Sequence, residues 1–200
     1  MSQNFTKLAF TDSVKDVQKL YGTRHAYERM ERSGDRFVLT PNETEFIESR
    51  DGFYLGSVGE NGWPYVQFRG GPIGFLKVID STTIAYVDFR GNGQYISTGN
   101  IKHHSKTSLF LMDYPSQRRL KIWAETTIMG ADEDAALLEK LRMEGYQAKL
   151  ERIVVLKIQA YDWNCPQHIT PRYTRAQVDA LMAPLVKENQ QLKQKLGESS

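Results

Sequence analysis

From Phe53 onward the apolar residues recur every second position, and that period sets the architecture of most of the chain. Phe53-Tyr54-Leu55-Gly56-Ser57-Val58 alternates as a strand, Glu60-Asn61-Gly62 carries the Asn-Gly hairpin signal, and Tyr65 to Arg69 is the returning strand. Phe75 to Ile79 and Thr83 to Asp88 predict a second hairpin around Asp80-Ser81. Thr107 to Met112, Leu120 to Met129 and Arg152 to Tyr161 read as three further strands. Helices are predicted for Tyr95 to His104 and for Ala131 to Glu144, where Leu137, Leu138 and Leu141 share a side. About seven strands joined mainly by short turns, with the Ala131 to Glu144 helix late among them, point to an antiparallel barrel rather than a doubly wound sheet.

The flanks have a different period. The first fifty residues read as helical: Asp12-Ser13 caps a segment whose Val14, Val17 and Leu20 share a face, and Thr23 caps the polar run Arg24 to Arg32. Thr40 precedes Pro41, and Glu43 lies three residues on, as in a capping box opening a short helix through Phe46 and Ile47. In the tail, Val178, Leu185 and Leu192 repeat every seven residues, as do Met182, Asn189 and Leu196. Pro184 interrupts this seam and is expected to kink it or to start a new helix. The seam suits a coiled-coil pair or a helix laid on its own domain. The expected organisation is a helical segment over residues 1–50 packed on a barrel over 51–173, and a C-terminal helix over 174–200.

Bulk properties remove several function classes. With 40% hydrophobic and 25% charged residues the composition is that of an ordinary globular chain, and a net charge of +2 gives no footprint for nucleic acid. The one cysteine, Cys165, excludes an intramolecular disulfide and any cysteine cage. His25, His103, His104 and His168 have no acidic partners at metal-site spacing, so no metal is expected. There is no secretory leader pattern in MSQNFTKLAF and no apolar run near the ~18 residues of a membrane helix, so a cytoplasmic location is expected.

Three stretches bear on ligand chemistry. Arg69 ends a strand before Gly70-Gly71-Pro72, where a guanidinium can reach an anion and the glycines allow close backbone approach. Arg90 to Asn100, RGNGQYISTGN, is dense in glycine, amide and hydroxyl groups before a predicted helix. It lacks the Gly-Lys-Ser/Thr ending of a P-loop and the Gly-x-Gly-x-x-Gly pattern. Arg118-Arg119 opens the long strand, and Asp162 to Tyr173 is a proline-bounded run that sets Trp163 beside Gln167, His168 and Arg172. No nucleophile elbow or acid–base pair stands out, and no catalytic residue is assigned.

Together, Gln67-Phe68-Arg69-Gly70-Gly71-Pro72, the Asp88–Asn100 loop, Arg118-Arg119-Leu120-Lys121-Ile122 and the Trp163–Arg172 segment resemble the flavin-nucleotide-binding proteins related to pyridoxamine 5′-phosphate oxidase, over roughly Thr40 to Tyr173. The resemblance implies a mainly β (α+β) fold, a split β-barrel of the FMN-binding type with peripheral helices. It also implies a homodimer holding FMN at the subunit interface. By that resemblance Gln67 and Arg69 on the strand and Asn92, Ser97, Asn100 and Lys102 in or after the loop hold the cofactor. Arg69 and Ser97 are then the foremost phosphate contacts. Val87 and Asp88 end the strand beside the flavin, Arg119 approaches from the next strand, and Trp163 and Gln167 come from the other subunit. The oxidase proper has an Arg-Leu-His run after its Trp and a Ser-Arg-Lys run in its loop. This chain has neither there, so vitamin B6 oxidation does not carry over with flavin binding. The function implied is an FMN-dependent oxidoreductase acting on a small-molecule substrate or electron donor. The alternatives are a non-catalytic module that stores or senses FMN, and a dimeric interaction protein working through its tail.

Overall fold

The computed structural model describes residues 5–32, 38–163 and 167–197. Cys165 lies outside the described residues. Two compact units emerge: one holds residues up to Met112 and from Arg119 through the last strand, and the other holds Asp113–Arg118 and the C-terminal residues.

In the larger unit, helices α1 (Phe5–Ala9), α2 (Asp12–Leu20), α3 (Arg24–Arg32) and α4 (Pro41–Glu48) precede the sheet. The strands are β1 (Gly52–Val58), β2 (Pro64–Gly70), β3 (Lys77–Asp80), β4 (Thr83–Phe89), β5 (Lys106–Asp113), β6 (Arg118–Gly130) and β7 (Leu150–Trp163). Helix α5 (Ile96–His103) lies between β4 and β5, and α6 (Ala135–Leu141) between β6 and β7. The sheet order is β2-β1-β5-β6-β7-β4-β3, and the assigned registers are antiparallel. An α+β chain built on one antiparallel sheet is the fold class expected above.

Strand β4 is buried from Ile84 to Asp88, and its two faces serve two cores. Ile84 and Tyr86 join Phe53, Leu55, Leu109, Ile122 and Leu156 in the main core. Ala85 and Val87 face the other way, with Ile153 and with Leu141 of α6. The β1–β2 hairpin turns at Gly62, whose φ of 82° an L side chain would strain to adopt. Gly52 lets the Phe68 ring lie over the backbone: a Cβ there would stand 2.2 Å from that ring and displace it.

Some elements differ from expectation at their ends. Strand β3 begins at Lys77 because Phe75 closes a turn on the Pro72 carbonyl (2.9 Å) and sinks with Leu76 into the core. Helix α6 begins at Ala135, where the Asp134 carboxylate accepts from Leu137 N–H at 2.8 Å. Thr11 rather than Asp12 caps α2, and the Val14, Val17 and Leu20 face of that helix is exposed.

Helix α4 has its proline at N1 and the capping box expected of Thr40 and Glu43. Glu43 is buried, and its carboxylate also accepts from Trp163 Nε1 at 2.7 Å and from Asn42 at 3.0 Å. Burial alone would raise this carboxyl, but the hydrogen bonds from Thr40, Trp163 and Asn42 outweigh it and hold the group at about 2, below its ordinary 4.5. A depressed folded-state value stabilises the fold above pH 4.5, and that contribution is lost as pH falls toward 2. The shift corresponds to about 3 kcal/mol. Urea midpoints measured from pH 6 to pH 2 will therefore fall more steeply for the native chain than for Glu43→Gln. Parallel curves would refute this role.

The second unit carries α7 (Arg175–Lys195), a single helix with none of its residues buried; it runs through Pro184, so no new helix starts there. Thr174 and Gln177 form its capping box. In the same unit the Gln117 amide donates to the Ile169 carbonyl at 2.6 Å, and Arg172 lies 5.2 Å over the Tyr114 ring. Among the described residues no helix is long and apolar enough to cross a membrane.

Candidate functional site

The sheet order leaves β2 at one edge and β4 next to the other, yet the two are joined by side chains. Arg69 on β2 donates to Asp88 Oδ1 on β4 at 2.8 Å. The other carboxylate oxygen of Asp88 accepts from Arg152 Nε (3.1 Å) and Nη2 (2.8 Å) on β7, where Asp88 and Arg152 are paired in register. One buried carboxylate thus ties three strands through two guanidinium groups.

The cluster continues into the loop after β4. Arg152 donates to Glu151 at 3.0 Å and stacks 4.8 Å from the centre of the Tyr95 ring, whose hydroxyl donates to Glu151 at 3.1 Å. Tyr95 holds φ at 53°, a left-handed conformation uncommon outside glycine, as the residue before α5. Behind it, buried Ser97 donates to the Gln67 side chain at 2.9 Å, and Asn100 donates to Ser57 at 3.1 Å, which fastens α5 to β1 and β2.

These groups surround a notch of about 20 Å³ lined by Gln67, Arg69, Asn92, Tyr95, Thr98 and Arg152. Three arginines (69, 90 and 152) face two carboxylates (Asp88 and Glu151) in this ion-pair network, an excess of one positive charge. The buried Nε of Arg69 has no protein hydrogen-bond partner. A cationic notch before a helix, with an unsatisfied buried N–H, suits an anion seated at its mouth. Burial pushes the neighbouring Tyr86 hydroxyl far above its ordinary value, so it stays neutral beside these charges.

A family model described as pyridoxamine 5′-phosphate oxidase matches residues 39–165, well over half of the chain. The chain belongs to that family. A search of the curated proteins finds no match. Among solved structures, HupZ of Group A Streptococcus is 12% identical at a TM-score of 0.51, over 68% of this chain and 100% of that one. A point variant of HupZ is 14% identical at 0.51, over 64% and 100%. A putative pyridoxamine 5′-phosphate oxidase from Lactobacillus delbrueckii is 24% identical at 0.48, over 64% and 95%. The likeness to HupZ is one of fold.

The remaining residues singled out by the resemblance to the oxidase family are scattered. Val87 is turned into the second core, away from the side of β4 that carries Asp88. Lys102 is exposed on α5. Arg119 stands on β6, 6.0 Å from the Phe110 ring centre, with its buried Nε unpartnered. Trp163 pairs with Leu120 at the end of β7 remote from Arg152, separated from it by about 35 Å of extended strand. It packs edge-on against Phe46 at 4.7 Å and donates to Glu43. Gln167 is exposed in the second unit. Sequence reasoning passes over Arg152, Glu151 and the part played by Tyr95. Only the β4–β7 register brings Arg152 to Asp88 and Glu151 to Tyr95 beside it, and no local pattern announces that pairing. Among the described residues no group of His, Cys, Asp or Glu is placed to hold a metal ion.

Proposed function

We propose that this member of the oxidase family binds FMN, with the phosphate at the notch formed by Arg69, Arg152 and the loop before α5, and acts as an FMN-dependent oxidoreductase. The observation that carries the reading is the unsatisfied, buried Nε of Arg69 in a cluster with surplus positive charge. Asp88 holds Arg69 and Arg152 side by side, while Gln67, Ser97 and Asn100 fix α5 against β1 and β2. Bound FMN would supply the electron chemistry, accepting a hydride or single electrons. The protein supplies position and charge, which agrees with a notch that has no free acid or base among its ion-paired groups.

The homodimer belongs to the same proposal. Tyr54, Val58, Val66 and Phe68 are exposed side by side on the outer face of the β1–β2 hairpin. Beside them is a largely apolar groove of about 540 Å³, lined in part by Val66, Ser108 and Trp123. A second subunit covering this face would remove that surface from water and could bring its own Trp163 toward the flavin. The reading of a non-catalytic FMN module stays alive because every charged group at the notch serves to hold charge rather than to move a proton.

The first experiment is a visible spectrum of the purified chain, followed by titration of the flavin-free protein with FMN and with riboflavin. A flavin band, or uptake of FMN well ahead of riboflavin, is expected. No band and no uptake would end this proposal. Anaerobic reduction by NADH or NADPH separates the two readings: slow reduction by every donor favours the module.

A further inference from the structure

Helix α7 exposes Val178, Leu181, Met182, Leu185, Val186, Leu192 and Leu196, and no residue along it is buried. Their spacing is ordered. From Val178 the steps to 182, 185, 189, 192 and 196 alternate four and three, the period of a two-helix seam. In that frame Met182, Asn189 and Leu196 take the a positions and Val178, Leu185 and Leu192 the d positions. The opposite side of the helix (Ala176, Ala180, Ala183, Lys187, Gln190, Gln194) has no large apolar side chain. Pro184 falls at c, on that outer side, so the hydrogen bond it cannot make to the Ala180 carbonyl is lost away from the seam, and the helix runs on through it.

The flanking positions identify the occupant. In a parallel pair, a g residue meets the e′ residue five positions further along the partner. Here Leu181 meets Val186, which widens the apolar seam, and Glu188 meets Lys193, which pairs opposite charges. Asn189 at a would meet its own copy, and such a buried amide pair sets register and favours two parallel strands. We propose that α7 forms a parallel two-stranded coiled coil with α7 of a second copy of this chain, in the register fixed by Asn189. The inference rests on charge complementarity and heptad phase, and it is independent of the FMN reading. Its two-fold axis is that of a symmetric pair of chains.

The test uses the full-length chain with its one cysteine replaced, Cys165→Ser. Leu192→Cys in that background puts a thiol in a d layer, where two parallel copies face each other. Gln194→Cys puts it at f, on the far side. In a glutathione redox buffer at low protein concentration, Leu192→Cys is expected to convert mainly to a disulfide-linked dimer, with Gln194→Cys left mostly reduced. Adding Glu188→Lys to the Leu192→Cys chain sets like charges against Lys193, slowing cross-linking roughly five-fold, and further adding Lys193→Glu restores it. Equal linking at 192 and 194, or none at 192, would overturn the proposal. So would efficient linking only between a Leu192→Cys chain and a Met182→Cys chain, the sign of an antiparallel pair. Failure of the charge swap to restore the rate would overturn the parallel register.

Discussion

Asp88→Ala is expected to destabilise the larger unit by about 3–5 kcal/mol, because it removes the shared partner of two guanidinium groups held in partly desolvated positions. The carboxylate is only 4% exposed, and Arg69 and Arg152 keep 16% and 19% of their side-chain surface. Without Asp88, two positive charges on β2 and β7 remain close together, and the link between one sheet edge and the strand next to the other is lost. Asp88→Asn keeps the shape and loses the charge, so it should fall between the native chain and Asp88→Ala. The measurement is the urea midpoint, with the slope of the transition checked for constancy. A loss below about 1 kcal/mol would mean that water screens the cluster as it does a surface pair.

Arg69→Ala tests the phosphate reading with the second-largest effect. Removing a charge-assisted contact to a phosphate costs about 1.5–3 kcal/mol, or roughly 10- to 100-fold in FMN affinity. Riboflavin lacks the phosphate, so its affinity should change little. The fold should tolerate Arg69→Ala better than Asp88→Ala, since Asp88 keeps its two hydrogen bonds from Arg152. Equal losses for FMN and riboflavin would show that Arg69 shapes the site without touching phosphate. In that case Arg152→Ala becomes the informative variant, because it lines the same notch from β7.

The residues behind these two predictions are unequally legible. Arg69 is marked by its strand and the Gly-Gly-Pro turn after it, both local features. Its reading as a free guanidinium aimed at a phosphate is modified by its bond to Asp88. Arg152 carries as much of the cluster and has no local marker, being one charged residue at the start of an apolar strand. Tyr95 reads as the start of a helix. It takes a left-handed conformation there, and its place under Arg152 depends on β7 arriving beside β4.

Local patterns, then, determined the elements and their type: period two for the strands, Asn61-Gly62 for the hairpin, Thr40-Pro41-Asn42-Glu43 for the start of α4, and the four-three alternation of the tail. Such signals depend on neighbours within a few residues, which is why they survive reading in one dimension. The tertiary structure alone decided which strands became neighbours, and so which charges share a carboxylate. Asp88 and Arg152 are sixty-four residues apart in the chain, and their pairing follows from two β-branched strands burying both faces between two cores. Folding also turned a capping residue, Glu43, into the acceptor for Trp163, and the hydrogen bonds it gained lowered its proton affinity against the opposing effect of burial. The sequence names the residues of such a cluster one by one, but desolvation and register, which make them act together, exist only in the folded chain.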